Sequence, residues 1–343
     1  MILVLNCGSQ SIKLKVFDAS LKAIKEADIS VREGENYKKI LHDELSKVRG
    51  FKVRVVGHRV VHGKDIFKKP TKITSETLYE LEKISRFAPL HNHYNVLGIK
   101  TCQEIFRNVA QYAVFDTEFF IGLPEKSQTY ALPQEIVRDF GFRKYGFHGI
   151  SHEFVAKEAA KKIKKPFEKI KIITCHLGGG ASITAIKNGK AIDTSMGFTP
   201  LQGLVMMTRP GDIDAGIVLE LSKKFGADKA SEILNKESGL RGICREGDML
   251  RVLERTRSPE EPQRRRAELA LNVFVYSVQK YIGSYFAILG GCDALVFTGS
   301  IGSGSAKIRN MITKDLKILK NTKVLAIKTD EELAIAQKIK NII

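Results

Sequence analysis

The stretch Ile2-Leu3-Val4-Leu5-Asn6-Cys7-Gly8-Ser9-Gln10-Ser11-Ile12-Lys13-Leu14-Lys15-Val16-Phe17-Asp18 opens with an apolar run, breaks at Gly8-Ser9 and resumes with alternating character. A buried strand, a Gly/Ser turn and a second strand make this a β-hairpin. The pattern returns as Ile172-Ile173-Thr174-Cys175-His176-Leu177-Gly178-Gly179-Gly180, followed by Ala181-Ser182-Ile183-Thr184-Ala185-Ile186. The offset, 172 − 2 = 170, is close to half of the 343 residues. It sets Asn6 opposite His176 and Gly8 opposite Gly178. Two strand–glycine turn–strand units at half-length spacing predict a duplicated, two-lobed protein.

Outward from these hairpins, apolar runs predict strands over 53–56, over 111–115 leading to Asp116, and over 294–298. Helices are expected over 75–86, 94–106, 152–162, 215–224 and 262–289. A closing helix runs from Asp330 to about Ile342, with Thr329-Asp330-Glu331-Glu332 as its acidic start. Mixed strands and helices give an α/β class. No Pro/Gly/Ser-rich linker separates the halves, so the lobes are expected to pack closely around a cleft.

The length predicts about two domains. Hydrophobic residues make up 43% and charged residues 27%, which excludes a disordered chain, a collagen-like repeat and a small disulfide scaffold. No uninterrupted apolar run reaches the roughly 20 residues that cross a bilayer. The first residues read as a strand rather than a signal peptide. The net charge of +18 raises a nucleic-acid partner, but the basic residues are scattered and no RNA- or DNA-binding motif accompanies them. A Lys-rich solvated surface that attracts anionic substrates is the simpler reading. Five cysteines, with no CxxC among them, read as free thiols in a reducing cytoplasm.

Three Gly/Ser turns follow apolar strands, at Gly8, Gly178 and Gly302. Such turns offer unhindered backbone N–H groups to phosphates, or serve only as structural turns. Gly57 to Lys64 reads GHRVVHGK, whose glycine spacing and following Asp65 do not make a P-loop. The Gly178 run lacks the third glycine of a dinucleotide fold. Arg59, between β-branched residues, is costly to bury unpaired. It is either a clamp for a carboxylate or phosphoryl group or half of a structural ion pair. Arg209 in MMTRPGD has the same two readings. Asp116 at a strand end suits Mg²⁺ or a turn cap. The paired histidines could share a helical face as zinc ligands, but no HExxH occurs and no Cys is spaced nearby. A His that donates to developing phosphoryl charge fits better, with satisfied core histidines as the alternative for His62, His93 and His152.

Together the motifs resemble the acetate kinase family across almost the whole chain. They are NCGSQSIK (6–13), GHRVVHG (57–63), APLHN (88–92), VFDT (114–117) and YGFHGISH (145–152). They continue as CHLGGGASI (175–183), DTSMGFTPLQGL (193–204), TRPGDID (208–214), FTGSIG (297–302) and TDEELAIA (329–336). The resemblance implies a duplicated ribonuclease H-like fold of the actin, Hsp70 and sugar kinase type. The lobes would be 1–117 plus 332–343 and 118–331. It implies reversible phosphorylation of acetate by ATP with Mg²⁺ (or Mn²⁺), and a homodimer. By resemblance, Arg59 and Arg209 would hold the acetate carboxylate and the migrating phosphoryl group, and His148 its equatorial oxygens. Asp116 and Glu331 would organise the metal, with Asn6 in support. Ser9, Ser11 and Lys13 match the first phosphate hairpin; His176, Gly178, Gly179 and Gly180 fall in the second; Gly302 matches the adenosine-side loop. Val61, Leu90, Phe147 and Pro200 match a small apolar pocket for the acetate methyl, and His91 a histidine near the substrate.

The chain departs from the family pattern at several points. Gly179 replaces Asn, giving a GGG that resembles butyrate kinases. Ser303 and Gly304 replace Glu and Asn, Phe120 replaces His, and His93-Tyr94 replaces a Pro pair. Material is missing between Asp18 and Gly57 and between Asn310 and Thr329. Propionate or butyrate as acceptor, a pyrophosphate donor, and a non-catalytic nucleotide-binding module are the alternatives.

Overall fold

The computed structural model describes residues 1–32, 34–85 and 89–343, the side chains of 89–91 excepted. The chain divides into two compact units. The first comprises Met1–Ile121, Phe147–Phe154 and Asp330–Ile343; the second comprises Gly122–Gly146 and Val155–Thr329. Relative to the expected lobes, Phe147–Phe154 is an additional return to the first unit.

The first unit is built on β1 (Ile2–Cys7), β2 (Ser11–Phe17), β3 (Ala23–Ser30), β4 (Val55–Val60), β5 (Thr71–Lys72) and β6 (Ala110–Phe115). They lie in the order β3-β2-β1-β4-β6-β5. The first three form an antiparallel meander, and β4 and β6 run parallel to β1. The second unit is built on β7 (Lys171–Leu177), β8 (Ala181–Lys187), β9 (Lys190–Thr194), β10 (Ala294–Thr298) and β11 (Lys323–Ala326). Taken from its meander edge, that sheet is ordered β9-β8-β7-β10-β11. Its pairings repeat those of β3-β2-β1-β4-β6.

The half-length offset is therefore structural. Ile2 and Leu3 lie opposite Val55 and Val56; Ile172 and Ile173 lie opposite Ala294 and Leu295. The offset slips by one across the hairpins. Cys7 pairs with Ile12 around Gly8–Ser11, whereas Leu177 pairs with Ala181 around the shorter Gly178–Gly180. Two copies of one sheet topology make this the duplicated ribonuclease H-like fold.

β1 is apolar from Ile2 to Leu5 because both of its faces are covered. Leu3 and Leu5 pack with Leu41, Leu45 and Cys102. Ile2 and Val4 pack with Ile335 and Ile339 of the C-terminal helix Glu331–Lys340. Gly57 lets that helix approach β4, since a Cβ there would stand 2.8 Å from Ile335 Cγ2 and would also meet Ile339.

Several expected elements shift. The strand expected over 53–56 is Val55–Val60, so His58 and Arg59 lie within it. The helix expected from 94 begins at Pro89 and ends at Ile105. The third glycine turn is instead a helical turn, Gly299–Gly302, leading to the helix Ala306–Thr313. Among the described residues, no helix is long and apolar enough to cross a membrane. All five cysteines are free.

Candidate active site

Parallel strands deliver their C-terminal ends to one edge of a sheet, where ligands commonly bind. In the first unit those ends carry Asn6, Arg59 and, one residue past β6, Asp116. The Asp116 N–H still bonds Val60 O at 3.0 Å, so the ladder fixes its backbone. Arg59 Nε donates to both carboxylate oxygens of Asp116 at 3.1 and 3.2 Å, and Nη2 donates to Oδ2 at 2.6 Å. Its Nη1 meets Glu331 Oε2 at 2.9 Å and Asn6 Oδ1 at 3.4 Å. Asn6 Nδ2 donates onward to Glu331 at 3.4 Å and Glu332 at 3.2 Å. Lys15 on β2 closes the cluster, 2.8 Å from Asp330 and 3.8 Å from Glu332. Of the two readings of Arg59, the ion pair is thus seen in the structure.

Burial pushes the Asp116 carboxyl up to about 6, against the pull of Arg59 and with a further push from Glu331. Burial also opposes the charge on Arg59, but Asp116 and Glu331 outweigh it and hold the guanidinium proton more tightly. Among the ion pairs described for this cluster, four carboxylates (Asp116, Asp330, Glu331, Glu332) meet two cations (Arg59, Lys15), a surplus of carboxylates. That surplus, carried by hard oxygen donors, suits one divalent cation. Among the described residues, no three acidic, His or Cys side chains form a ready-made metal cage. One or two carboxylates completed by nucleotide phosphates is the usual way in which Mg²⁺ is held.

His148 stands beside this cluster in the left-handed region, at φ 60°. Its backbone N–H bonds the Asp116 carboxylate. The next N–H, of Gly149, bonds Asp116 O at 2.9 Å. A Cβ on Gly149 would collide with that carbonyl, so the close approach requires glycine. Phe147 is buried, edge-on to His62 with ring centres 5.3 Å apart.

The loop after β4 is pinned by side chains. Asn95 Oδ1 accepts from Val61 N at 3.0 Å, while its Nδ2 donates to Cys7 O at 2.8 Å. Asn92 bonds both the N–H and the carbonyl of His62 at 3.0 Å. Thr117 Oγ1 accepts from Gly63 N at 3.1 Å. Val61 itself is half-buried. The side chains of Leu90 and His91 lie outside the described residues. In the first hairpin, Ser9 is exposed and Ser11 half-buried, and Lys13 pairs with Asp28 at 3.3 Å. Tyr37 OH donates to Gly8 O at 2.9 Å and steadies the turn.

The second unit holds the other expected residues. The Gly178 N–H bonds Gly180 O at 3.0 Å, leaving Gly179 exposed at the tip. A Cβ on Gly178 would stand 3.5 Å from Ser300 Oγ and 3.9 Å from His176 Nε2, so hairpin, His176 and the Gly299–Gly302 turn share one locality. Gly299, at φ 78°, passes so close to Leu177 O that no Cβ fits. Gly302, the last residue of that turn, is buried. Arg209 is half-buried, and burial lowers its pKa. Its loop closes on itself through Met206 N to Arg209 O at 3.0 Å and Asp212 N to Gly203 O at 2.9 Å. Pro200 is half-buried.

Sequence reasoning missed Lys15, Glu332, Asn92 and Asn95 as parts of the site. Asn92 and Asn95 did leave a signal, two amides at i, i+3 on one helix face. Lys15 left none, since alternation on β2 looks the same for any solvated lysine.

The chain matches the acetokinase family over residues 35–340. It is 40% identical to the acetate kinase of Halothermothrix orenii, covering 100% of this chain and 99% of that protein. It is 43% identical to the acetate kinase of Desulforamulus reducens, covering 97% and 90%. Among solved structures, it resembles Porphyromonas gingivalis acetate kinase with a TM-score of 0.87 and 32% identity, covering 99% of each chain. It also resembles a propionate kinase from Francisella tularensis with a TM-score of 0.88 and 36% identity, covering 98% of each.

Proposed function

The chain belongs to the acetokinase family, and from that premise we propose that it is an acetate kinase, transferring the γ-phosphoryl group of ATP reversibly to acetate. The observation that carries this reading is the Arg59–Asp116–Glu331 constellation at the strand ends, within a chain similar to acetate kinases along its whole length.

A carboxylate oxygen attacks the γ-phosphorus in line; the new O–P bond forms as the bond to the β-phosphate oxygen breaks, and ADP leaves. A carboxylate is already a nucleophile, so no strong general base is required. The difficulty is to bring two anions together, and fixed positive charge with in-line positioning answers it. Arg59 and Arg209 hold the carboxylate and the migrating phosphoryl group, and His148 donates to the phosphoryl oxygens. Val61, Leu90, Phe147 and Pro200 enclose the methyl group, with His91 near the substrate. Ser9, Ser11 and Lys13 contact phosphates from the first unit, and His176 with Gly178, Gly179 and Gly180 from the second. Gly302 lies on the adenosine side. A divalent cation, Mg²⁺ or Mn²⁺, would be held by Asp116 and Glu331 with Asn6 in support, and when bound supplies positive charge to the nucleotide phosphates.

Propionate is the second reading, favoured by the likeness to the Francisella propionate kinase. One methylene in an apolar pocket is worth only about 1–3 kcal/mol. A homodimer is supported by the helix Ala215–Phe225, which has no buried residue and exposes Ile217, Leu219 and Phe225. A cytoplasmic location rests on the free thiols. The test is acyl-phosphate formation, trapped as hydroxamate, from Mg-ATP with acetate, propionate and butyrate in parallel. Saturable turnover ranked acetate first is expected. A preference for a longer acid moves the substrate, and no product with any acid overturns the reading.

A further inference from the structure

Away from the substrate-facing groups, one half-buried charge cluster has no role in the chemistry above. Lys338 Nζ lies 2.8 Å from Glu118 Oε1 and 2.7 Å from Glu153 Oε2. The three side chains are only 21%, 13% and 16% exposed, respectively. Taking three charged groups so far out of water is costly unless they hold one another in good geometry.

What they join is specific. Glu118 lies two residues beyond Asp116, in the turn Glu118–Phe120. Glu153 lies in the helix Gly149–Lys162, whose first residue follows His148. Lys338 lies in the C-terminal helix that begins at Glu331. Lys338 and Glu331 are 338 − 331 = 7 residues apart, two helical turns, and so share one face of that helix. Each member is thus tied covalently to a different element of the site, and the Lys338 ammonium meets both carboxylates.

We propose that the Lys338–Glu118–Glu153 triad is a positioning device that sets Asp116, Glu331 and His148 in register with one another for metal–nucleotide binding. The inference rests on the acetate kinase reading for the roles of those groups, and on the triad's geometry for its own. Lys338 touches no reacting atom. It acts through the elements that it braces, and displacement of a reacting group by about 1 Å can cost about a hundredfold in rate. Without the ammonium, the C-terminal helix keeps its apolar packing and the Glu331–Arg59 contact but loses its tie to the turn after Asp116 and to the helix after His148.

The test uses the full-length chain and two readouts, the dissociation constant of Mn-ADP and the steady-state constants with acetate. Lys338→Met is expected to weaken Mn-ADP binding and to lower kcat by about tenfold or more, while the KM for acetate stays within about twofold. Lys338→Arg, which keeps the charge, is expected to restore both. Glu118→Gln keeps the packing volume and serves where Lys338→Met fails to fold; it is expected to weaken Mn-ADP binding by about threefold. A folded Lys338→Met or Glu118→Gln variant with wild-type Mn-ADP binding and kcat overturns the proposal. Weakened Mn-ADP binding in Lys338→Met, in a protein whose wild type phosphorylates no acid, overturns the acetate kinase reading and leaves the positioning role standing.

Discussion

Arg59 on β4 and Asp116, one residue past the adjacent parallel strand β6, meet through three donor–acceptor contacts, the shortest 2.6 Å from Nη2 to Oδ2. This pair ties the β4 end to the β6 end, and Glu331 then joins the C-terminal helix to both. The same guanidinium is thereby a structural tie and the positive group proposed to meet substrate.

Two separable effects follow for Arg59→Ala. Asp116 would remain buried without its partner, at a cost of roughly 3 kcal/mol in unfolding free energy. Turnover is expected to fall by roughly 10³-fold, as for other arginines that stabilise a phosphoryl transition state. The double variant Arg59→Ala with Asp116→Asn is expected to regain much of the stability and none of the rate. Chemical denaturation and steady-state kinetics on the two variants check both. Near-wild-type turnover in Arg59→Ala contradicts the role.

Asn95→Ala is expected to leave Val61 N–H and Cys7 C=O without their partner. A buried group so abandoned costs about 1–3 kcal/mol each. The loop after β4 would loosen, and because Val61 is proposed to touch the methyl group, KM for acetate should rise more than KM for ATP. Equal changes in both constants would count against the pinning role.

Gly149→Ala places a methyl group against a backbone carbonyl that cannot move aside. Overpacking of this kind costs typically about 1–3 kcal/mol. The displaced backbone would carry His148 with it, so kcat should fall even under conditions where the variant is fully folded. Circular dichroism and kinetics on one preparation separate the two effects.

Stability should decline in acid through His58 and His62. Burial depresses both from 6.5 to about 4, so each is neutral in the fold. His58 Nε2 lies 2.7 Å from Gln111 Oε1, and His62 Nδ1 accepts from Lys64 N at 3.0 Å. Between those two pH values the unfolded chain binds the proton and the fold does not. Their contribution is therefore complete above about pH 6.5 and is lost as the pH falls toward 4, by up to roughly 3 kcal/mol for each histidine. Unfolding curves between pH 4 and pH 8 measure this, and His58→Gln should flatten the slope. A slope unchanged in His58→Gln would remove His58 from the explanation.

The duplicated hairpin was legible because burial on both faces of β1 and β7 leaves mostly apolar runs, and glycine marks the turn. Arg59 and Asp116 stood out because charge in such a run demands a partner. β3 was not legible, since it is an edge strand whose residues are mostly exposed and only Ala27 and Ile29 turn toward the core. The Gly299–Gly302 segment read as a turn because its glycines and serines favour one. It coils instead, because Gly299 turns sharply against Leu177 and the chain proceeds at once to a helix capped by Ser305. The Lys338 triad brings together residues up to 220 positions apart, and no local pattern encodes that meeting.

The central claim is that an oxygen of the acceptor carboxylate forms the new bond to the γ-phosphorus and becomes the bridging oxygen of the product. Acetate labelled with ¹⁸O in both oxygens, incubated with Mg-ATP and the protein, tests it by ³¹P NMR of the product. The account predicts acetyl phosphate whose phosphorus resonance carries the upfield shift of one bridging ¹⁸O. An unshifted resonance, or ADP released without acetyl phosphate, would contradict it.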